Sequence, residues 1–391
     1  MIEKGIATFT LDYGKCPAWL FQRMVRLGRE MARVIVAEYG PEEFIKRLAD
    51  PVWFQSLGTV LAFDWNASGL TTILTAALKE ALRGEERQLG IFICGGKGKT
   101  SRKTPEQIQN WGENLNLPAF YISNLVYNSK MAAKVDSSLV QDGFQIYHHS
   151  FFFSLRPGSG QDKRVAWTVV QQGMNIAKQT ARRYHWFSEN VKDLVCEPHS
   201  GISTQIKVPT LNLVSKNSQN TRDMSTELVC GGYATLMKDI ELLRRHSSEL
   251  HKMARLKVKG EQLTLLALED KEFIWHPVAI EDFSKSRYLE KILSKICDQK
   301  PDSYEKMLSQ VGVGPKTIRA LALVSEVVYG ATPSYEDPAR YSFAHGGKDA
   351  TPYPVDRVTY DQTIEAMKRV VAKTKINVFE KQKILKRLTK K

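Results

Sequence analysis

Residues 303–330 read SYEKMLSQVGVGPKTIRALALVSEVVYG, and they decide which fold to expect in the C-terminal half of the chain. Asp302 and Ser303 are residue types that commonly cap the start of a helix, and either one could cap the helix predicted here. Gly312 and Gly314 favour a tight turn, and Pro315 is favoured at the first position of a following helix. The segment therefore predicts a hairpin of two short helices with the glycines in the turn.

Such a hairpin suits a nucleic-acid backbone. The N–H groups at the start of the second helix point out of its positive end, where a phosphate binds well. Contacts of this kind hold phosphates and carry no base sequence. We therefore predict that DNA is bound by the turn and the residues that follow it, namely Gly312, Gly314, Lys316, Thr317 and Arg319.

The order Gly-Val-Gly-Pro-Lys-Thr at residues 312–317, between two predicted helices, resembles the helix-hairpin-helix of DNA repair glycosylases, junction proteins and nuclease subunits. In those glycosylases a lysine of the turn attacks the sugar, and an aspartate follows in a Pro-Val-Asp segment. Lys316 matches the first position, and Asp356 matches the second at the end of residues 354–356. The resemblance implies, as an alternative function, a DNA glycosylase or lyase that uses Lys316 and Asp356.

The charge of the chain also points to a polyanionic partner. The 391 residues include 56 Lys and Arg against 42 Asp and Glu, which gives a net charge of +14. A basic surface attracts phosphates and releases their counterions. A second basic group follows a predicted buried strand in a glycine-rich loop, and we expect it to contact DNA through Lys97, Lys99, Arg102 and Lys103.

Composition excludes several classes of protein. No run of about 18 apolar residues is present, so the sequence predicts no membrane-spanning helix. The five cysteines are scattered without a Cys-x-x-Cys pair, which favours a cytoplasmic protein over a disulfide-linked one. Cys196 and His199 have the spacing of half a zinc site, but no second pair accompanies them.

The chain is expected to form two domains. Strand-like segments alternate with helical patterns up to about residue 215, and long helical patterns dominate from residue 223 onward. The polar stretch between them favours a boundary. The predicted fold class is α+β, with an α/β N-terminal domain at 1–215 followed by an all-helical C-terminal domain at 223–391 that contains the hairpin.

The N-terminal domain holds the predicted catalytic residues. Cleavage of a phosphodiester needs a metal or a base to produce hydroxide, and cations to offset charge on the phosphate. We expect Asp142 and His148 to hold a divalent ion, magnesium or manganese. The candidate catalytic set is Asp142, His148, Asp136, His149 and Gln172. His148 and His149 are neighbours on one predicted strand, so their side chains should lie on opposite faces of the sheet.

Five further segments resemble a prokaryotic, largely archaeal family that is catalogued as a domain of unknown function; they are residues 11–17, 94–101, 147–153, 170–175 and 343–349. The resemblance covers nearly the whole chain and implies a nuclease for distorted duplexes. The predicted function is thus a structure-specific, metal-dependent DNA endonuclease in DNA repair, acting on bubbles, flaps or junction-like DNA. A glycosylase and a non-enzymatic DNA-binding protein are the alternatives. RNA as a ligand and the oligomeric state, a homodimer included, stay open.

Overall fold

The computed structural model of the protein describes residues 16–61, 67–155, 165–243, 286–339 and 357–389. The chain forms two compact units. The unit that holds the main sheet, here the sheet unit, consists of Met1–Ser137, Asp142–Thr210 and Asp337–Lys391. The other, here the insert unit, consists of Ser138–Gln141 and Leu211–Glu336.

The seven described strands are β1 (Ile91–Lys97), β2 (Val140–Gln141), β3 (Gln145–Ser154), β4 (Ala166–Asn175), β5 (Thr180–Phe187), β6 (His199–Thr204) and β7 (Leu211–Asn212). Five of them form the main sheet in the order β1-β3-β4-β5-β6, and every neighbouring pair is antiparallel. The α+β class is therefore confirmed. The expected α/β arrangement of the N-terminal domain is wrong, because strands that pair antiparallel need no helical crossover between them.

Helices cover both faces of the sheet. Those of the sheet unit are α1 (Ala18–Tyr39), α2 (Pro41–Leu48), α3 (Pro51–Val60), α4 (Ala67–Leu82), α5 (Glu86–Leu89), α6 (Thr104–Asn114) and α7 (Ala119–Ser138), with a 3₁₀ helix at Gly98–Lys103. On one face, the Thr168 hydroxyl of β4 donates to the Ile45 carbonyl of α2 at 2.7 Å. On the other, the Gln171 amide of β4 donates to the Ala132 carbonyl of α7 at 3.1 Å.

Local sequence explains how these helices begin and pack. The Asp50 carboxylate accepts hydrogen bonds from the Val52 and Trp53 N–H groups, and Pro51 opens α3. Leu20, Met24 and Met31 recur at helical spacing and are the buried side of α1. This apolar side packs into one core with the sheet face that bears Phe152 and Val170.

The described residues of the insert unit form helices and two strands of two residues each, β2 and β7, which pair antiparallel. Its helices are α8 (Gln219–Cys230), α9 at 233–243, α10 (Arg287–Gln299), α11 (Tyr304–Ser309) and α12 (Pro315–Leu323), followed by a π-helical turn at Val324–Val328. Ser303 caps α11, since its hydroxyl oxygen accepts from the Lys306 N–H at 3.2 Å. The predicted hairpin of two helices thus corresponds to α11 and α12.

The last two helices, α13 (Arg357–Lys373) and α14 (Val378–Thr389), belong to the sheet unit. Met367, Val371 and Ile384 join the same hydrophobic core as α1. The units therefore differ from the expected division into 1–215 and 223–391, because the end of the chain returns to the first unit. Within the described residues, no helix is both long and apolar enough to span a membrane.

Candidate functional site

One face of the main sheet carries polar side chains in register across five strands. Successive Cα partners run through Lys97, His148, Gln172, Arg183 and Ser203, and we call this set the polar row. Directly opposed residues of neighbouring strands project to the same face. Lys97 is exposed and the other four side chains are buried. A buried polar line of this length is unusual, since interiors favour apolar groups.

Helix α4 packs polar residues against this row. Residues three and four positions apart share one side of a helix. That side of α4 contacts the row at three points: Gln172 Nε2 donates to the Ser68 carbonyl at 2.9 Å, Arg183 Nη1 donates to Thr71 Oγ1 at 3.3 Å, and Thr75 Oγ1 lies 3.2 Å from His148 Nε2. The row is therefore covered by hydrogen-bonding groups.

These contacts fix the proton position on His148. The Thr75 hydroxyl donates its hydrogen to the Thr71 carbonyl at 2.9 Å, so its oxygen accepts from His148 Nε2–H. Ser150 Oγ lies 3.0 Å from the same nitrogen. His148 Nδ1 then carries a lone pair, and it is buried without a hydrogen-bond partner among the described residues. Burial lowers the pKa of His148 to about 3, so the imidazole is neutral at neutral pH.

Gln172 presents a second acceptor in the row. Its Nε2 donates to the Ser68 carbonyl and lies 2.5 Å from the Tyr147 hydroxyl, which leaves Oε1 as the other amide atom. Oε1 is buried and, in the described chain, has no hydrogen-bond partner. The Lys97 ammonium lies 5.8 Å from the centroid of the Tyr147 ring. The pair His148–Gln172 is thus adjacent to an exposed cation.

Arg183 places a second positive charge beside this pair. Its guanidinium is buried, lies 4.6 Å from the Phe54 ring centroid and donates to Gln55 Oε1 at 3.2 Å. Burial lowers the pKa of Arg183 to about 9, so it still carries its charge at neutral pH. Two cations therefore flank His148 and Gln172 along the row.

Asp136 and His149 lie on the opposite face. Asp136 accepts hydrogen bonds from His199 Nε2 at 2.5 Å, from Trp186 Nε1 at 3.1 Å and from Gln171 Nε2. His149 Nδ1 lies 2.8 Å from Gln171 Oε1, and its Nε2 lies 2.9 Å from a serine hydroxyl of α7, Ser129. Burial lowers the pKa of His149. Both ring nitrogens of His149 make hydrogen bonds, so this network connects β3 and β4 of the sheet to α7. The expectation that His148 and His149 face opposite sides is confirmed.

Asp142 belongs to a buried ion-pair network. Its Oδ2 accepts from Arg182 Nη1 at 2.8 Å and from the Tyr184 hydroxyl at 2.7 Å, and its Oδ1 accepts from the Phe144 N–H at 2.9 Å. Burial raises the pKa of Asp142, and the Arg182 guanidinium opposes that rise.

The predicted metal pair Asp142 and His148 is wrong, because the sheet separates the two residues. Asp142 contacts Arg182 and Tyr184, which share the face of His149, whereas His148 projects to the face of Arg183. Within the described residues, no cluster of three or more histidine, cysteine or acidic side chains is arranged to hold a metal ion. The structure therefore does not bring Asp142 and His148 together at one metal site.

In the insert unit, the two glycines of the turn differ in whether the fold requires a glycine at that position. Gly312 has a φ of +97°, and a Cβ there would meet Ile292 Cδ1 at 2.3 Å. Gly314 is the N-cap of α12 with an ordinary extended φ of −149°. A Cβ at Gly314 would meet no atom of the described chain within 4 Å. Neither packing nor backbone conformation requires a glycine at position 314.

The start of α12 offers backbone donors. Its first helical hydrogen bond runs from the Ile318 N–H to the Gly314 carbonyl, so the N–H groups of Lys316 and Thr317 precede it. Gly314, the N-cap residue, has no side chain with which to cap this end. Lys316 is exposed. The Thr317 side chain is buried, so the predicted contact of Thr317 with DNA would be made by its N–H group. Arg319 is half-buried, and its Nε donates to Gln141 Oε1 at 2.5 Å.

The basic residues of the glycine-rich loop in the sheet unit are exposed as expected. Lys97 ends β1, and Lys99, Arg102 and Lys103 follow on the 3₁₀ helix. They form a continuous basic segment at the exposed end of the polar row.

The glycosylase alternative involves Lys316 and Asp356. Lys316 is exposed at the start of α12, whereas Asp356 lies outside the described residues. This alternative stays a prediction.

Sequence reasoning missed Ser203 and the polar side of α4, and it gave Arg183 no catalytic role. Residues 180–187, TARRYHWF, alternate between the two faces of β5, and that alternation was a signal for a strand. The pairing of β5 with β4 and β6 gave no local signal. His199 was weighed only as half of a zinc site, and the structure pairs it with Asp136.

The comparisons with known proteins bear on the family. No curated protein and no solved structure matches the chain. A family described as a protein of unknown function, DUF763, matches residues 5–355. Because this match spans most of the 391 residues, the chain belongs to the DUF763 family, as the motif resemblance led us to expect.

Proposed function

We propose that the protein binds DNA through the start of α12 and cleaves a phosphodiester in unpaired or junction-like DNA, as an endonuclease of DNA repair. The observation that carries the proposal is that position 314 holds a glycine although neither packing nor backbone conformation requires one there. Serine, threonine, asparagine or aspartate usually stabilises a helix N-cap better than glycine does. A glycine that the protein's own packing does not need leaves the backbone open to close approach by a partner.

The ligand that this opening suits is a phosphate. The Lys316 and Thr317 N–H groups lie at the positive end of α12, and the Lys316 ammonium is exposed beside them. Backbone donors at a helix start bind phosphate oxygens, and a lysine adds a mobile positive charge. The net charge of +14 supports a polyanion as the partner.

The surface next to the turn supports the preference for unpaired DNA. Tyr288 of α10 is 64% exposed, and its hydroxyl would lie 3.5 Å from a Cβ at Gly312. Val311 in the turn is 79% exposed, and Arg287 and Lys291 are exposed on α10. Exposed aromatic rings beside cations stack on the bases of single strands, whose faces are open.

The basic segment of the sheet unit is the proposed second contact with DNA. Lys97, Lys99, Arg102 and Lys103 are exposed on a short stretch of chain, as phosphate contacts require. The requirement for magnesium or manganese stays part of the proposal, without Asp142 and His148 as its ligands. If the DNA strands stay intact in a cleavage assay, the protein binds DNA without cutting it.

Replacing Gly314 by aspartate is expected to weaken DNA binding without unfolding the protein. The new carboxylate can accept from the N–H groups of Lys316 and Thr317, so it stabilises α12 while competing with the phosphate and repelling it. The loss of charge-assisted hydrogen bonds should cost about 1.5–3 kcal/mol, or roughly 10- to 100-fold in Kd. Fluorescence anisotropy with labelled bubble DNA at several salt concentrations measures it.

Ser303→Asp is the matched control. It introduces the same carboxylate at the N-cap of α11, where the native hydroxyl already accepts from the Lys306 N–H. Its effect on Kd should be far smaller than that of Gly314→Asp. Equal affinity of Gly314→Asp and the parent protein, with both folded, would overturn the proposed DNA contact.

A further inference from the structure

The first turns of α1 expose a tryptophan beside an arginine. Trp19 is 60% exposed, and the guanidinium carbon of Arg23 lies 5.3 Å from the centroid of its ring. Arg26 is exposed one turn further along the helix. Residues four and seven positions apart share one side of a helix. Trp19, Arg23 and Arg26 therefore lie in one line on the surface, and we call this line the α1 stripe.

The positive charge of the α1 stripe is not balanced within its own segment. Residues 16–29 contain three arginines and no acidic residue. Further along α1, Arg33 binds Glu85 at 2.5 Å and Glu30 at 2.6 Å. Arg23 makes no such ion pair among the described residues, and its side chain is exposed. Its N–H donors are therefore open to an anionic partner.

The opposite end of α1 has a similar pair in a different charge environment. Tyr39 is 45% exposed, and the guanidinium carbon of Arg47 lies 4.9 Å from the centroid of its ring. This arginine is already paired, because its Nε binds Glu43 at 2.9 Å. A single exposed apolar side chain is ordinary at a protein surface. The unpaired cation beside the ring is what distinguishes the α1 stripe from the Tyr39 pair.

We infer that the α1 stripe binds an unpaired DNA strand, with Trp19 stacked on a base and the two arginines on neighbouring phosphates. The inference rests on the proposed function, because it gives the unpaired region of the DNA a contact on the sheet unit. Stacking on an aromatic ring needs a base whose face is open, as in a single strand. Arginine brings a fixed positive charge for phosphate and a planar group that itself stacks on rings.

The shape of the surface favours a strand over a membrane. From Trp19 to Arg26 the helix rises by about 10 Å, which accommodates a base together with phosphates beside it. Tryptophan and arginine are also common in helices that lie on membranes, but such helices insert an apolar side into the lipid. The apolar side of α1, with Leu20, Met24 and Met31, is buried in the protein core. The α1 stripe therefore offers charge and one ring, as a single strand requires.

Photocrosslinking tests the stacking directly. The full-length protein is irradiated with a single-stranded oligonucleotide that contains iododeoxyuridine, a base that couples to aromatic side chains in contact with it. Tryptic peptides are then sequenced by mass spectrometry. Trypsin releases Trp19 in the peptide of residues 16–23. We expect the nucleotide on this peptide and its loss in Trp19→Ala, whereas the peptide that contains Tyr39 should stay unmodified.

Affinity measurements separate strand binding from duplex binding. Trp19→Ala should weaken the binding of single-stranded and bubble DNA by about tenfold and leave the affinity for paired duplex unchanged. Trp19→Phe keeps a ring and should retain most of the affinity. Arg23→Gln should reduce the slope of log Kd against log salt concentration by about 0.7 on a single strand, the value for one phosphate contact. Tyr39→Ala and Arg47→Gln are the matched controls and should bind like the parent protein.

The outcomes distinguish this inference from the proposed function. If Trp19→Ala binds single-stranded DNA like the parent protein, or loses duplex affinity equally, the α1 stripe does not stack on an unpaired base. A crosslink that is absent from residues 16–23 leads to the same conclusion. In each case Gly314→Asp still judges the DNA contact at α12. If the parent protein binds neither single-stranded nor duplex DNA, the inference and the proposed function fall together.

Discussion

Replacing Arg182 by methionine is expected to lower the free energy of unfolding of the sheet unit by about 3–5 kcal/mol. The guanidinium is buried and binds two buried carboxylates, Asp142 at 2.8 Å and Asp337 at 2.6 Å. Methionine keeps much of the packing over the Phe144 ring but leaves both carboxylates without their cation. Leaving a buried charge uncompensated costs far more than the ion pair contributes.

Arg182 also joins three separate parts of the chain. Asp142 and Asp337 are the first residues of the sheet unit after each segment of the insert unit. Arg182 Nη2 donates to the Ile206 carbonyl at 3.3 Å, and Asp337 accepts from the Val208 N–H at 2.8 Å, just before the chain leaves again. The substitution should therefore loosen the packing of residues 142, 206–208 and 337 within the sheet unit.

Urea unfolding followed by tryptophan fluorescence measures this effect, because most tryptophans belong to the sheet unit. Arg83→Met is the control, since Arg83 pairs with Glu80 on the surface, where an ion pair contributes about 0–1 kcal/mol. The triple variant Arg182→Met, Asp142→Asn, Asp337→Asn should recover part of the loss. A stability of Arg182→Met equal to that of Arg83→Met would contradict the account of this network.

Mild acid is expected to destabilise the sheet unit steeply. Burial lowers the pKa of His148 to about 3, and it also lowers the pKa of His149 and of His185. In the unfolded chain a histidine has a pKa of about 6.5. Above that pH both states are neutral and the full stability is present. Below it only the unfolded chain takes up protons, so stability falls as the pH drops toward the folded-state pKa values.

The magnitude follows from the number of buried histidines. His148, whose pKa in the fold is lowered to about 3, contributes about 1.4 kcal/mol per pH unit once the unfolded form is protonated, and the lowered pKa values of His149 and His185 add to the slope in the same direction. Urea unfolding between pH 7.5 and pH 5 measures the slope. His185→Asn, which keeps a donor to the Leu48 carbonyl, should reduce the slope, because the pKa of His185 is lowered well below its usual value in the fold. A stability that stays constant over this range would show that the three histidines do not stay neutral in the fold.

The sequence predicted those features that depend on neighbouring residues. The helices on either side of Gly312 and Gly314 and the alternation of His148 and His149 follow from local rules, and the structure confirms them. Of the two residues expected to cap the first helix, Asp302 and Ser303, the structure shows Ser303. The exposed basic segment after β1 was also predictable, because charged residues in a glycine-rich loop have little reason to be buried.

Pairings over long distances were not predictable in the same way. Asp142 was expected beside His148 because the two lie close in sequence. In the structure the Asp142 carboxylate accepts hydrogen bonds from Arg182 and Tyr184 of β5, whose side chains lie on the face of the sheet opposite His148. The register of β5 against β4 decides this, and a single sequence holds no sign of it. The return of α13 and α14 to the first unit depends on apolar contacts with α1, which sequence periodicity cannot assign to a partner.

The measurement that most directly tests the central claim uses the full-length protein with end-labelled duplex, bubble, flap and single-stranded DNA. Binding is measured first over a range of salt, and strand scission is then read on a denaturing gel with magnesium, manganese or EDTA. We predict binding that weakens steeply with salt, tighter binding of the bubble than of the duplex, and scission near the unpaired region. Binding that is absent or indifferent to salt, together with intact strands under every condition, would contradict the account.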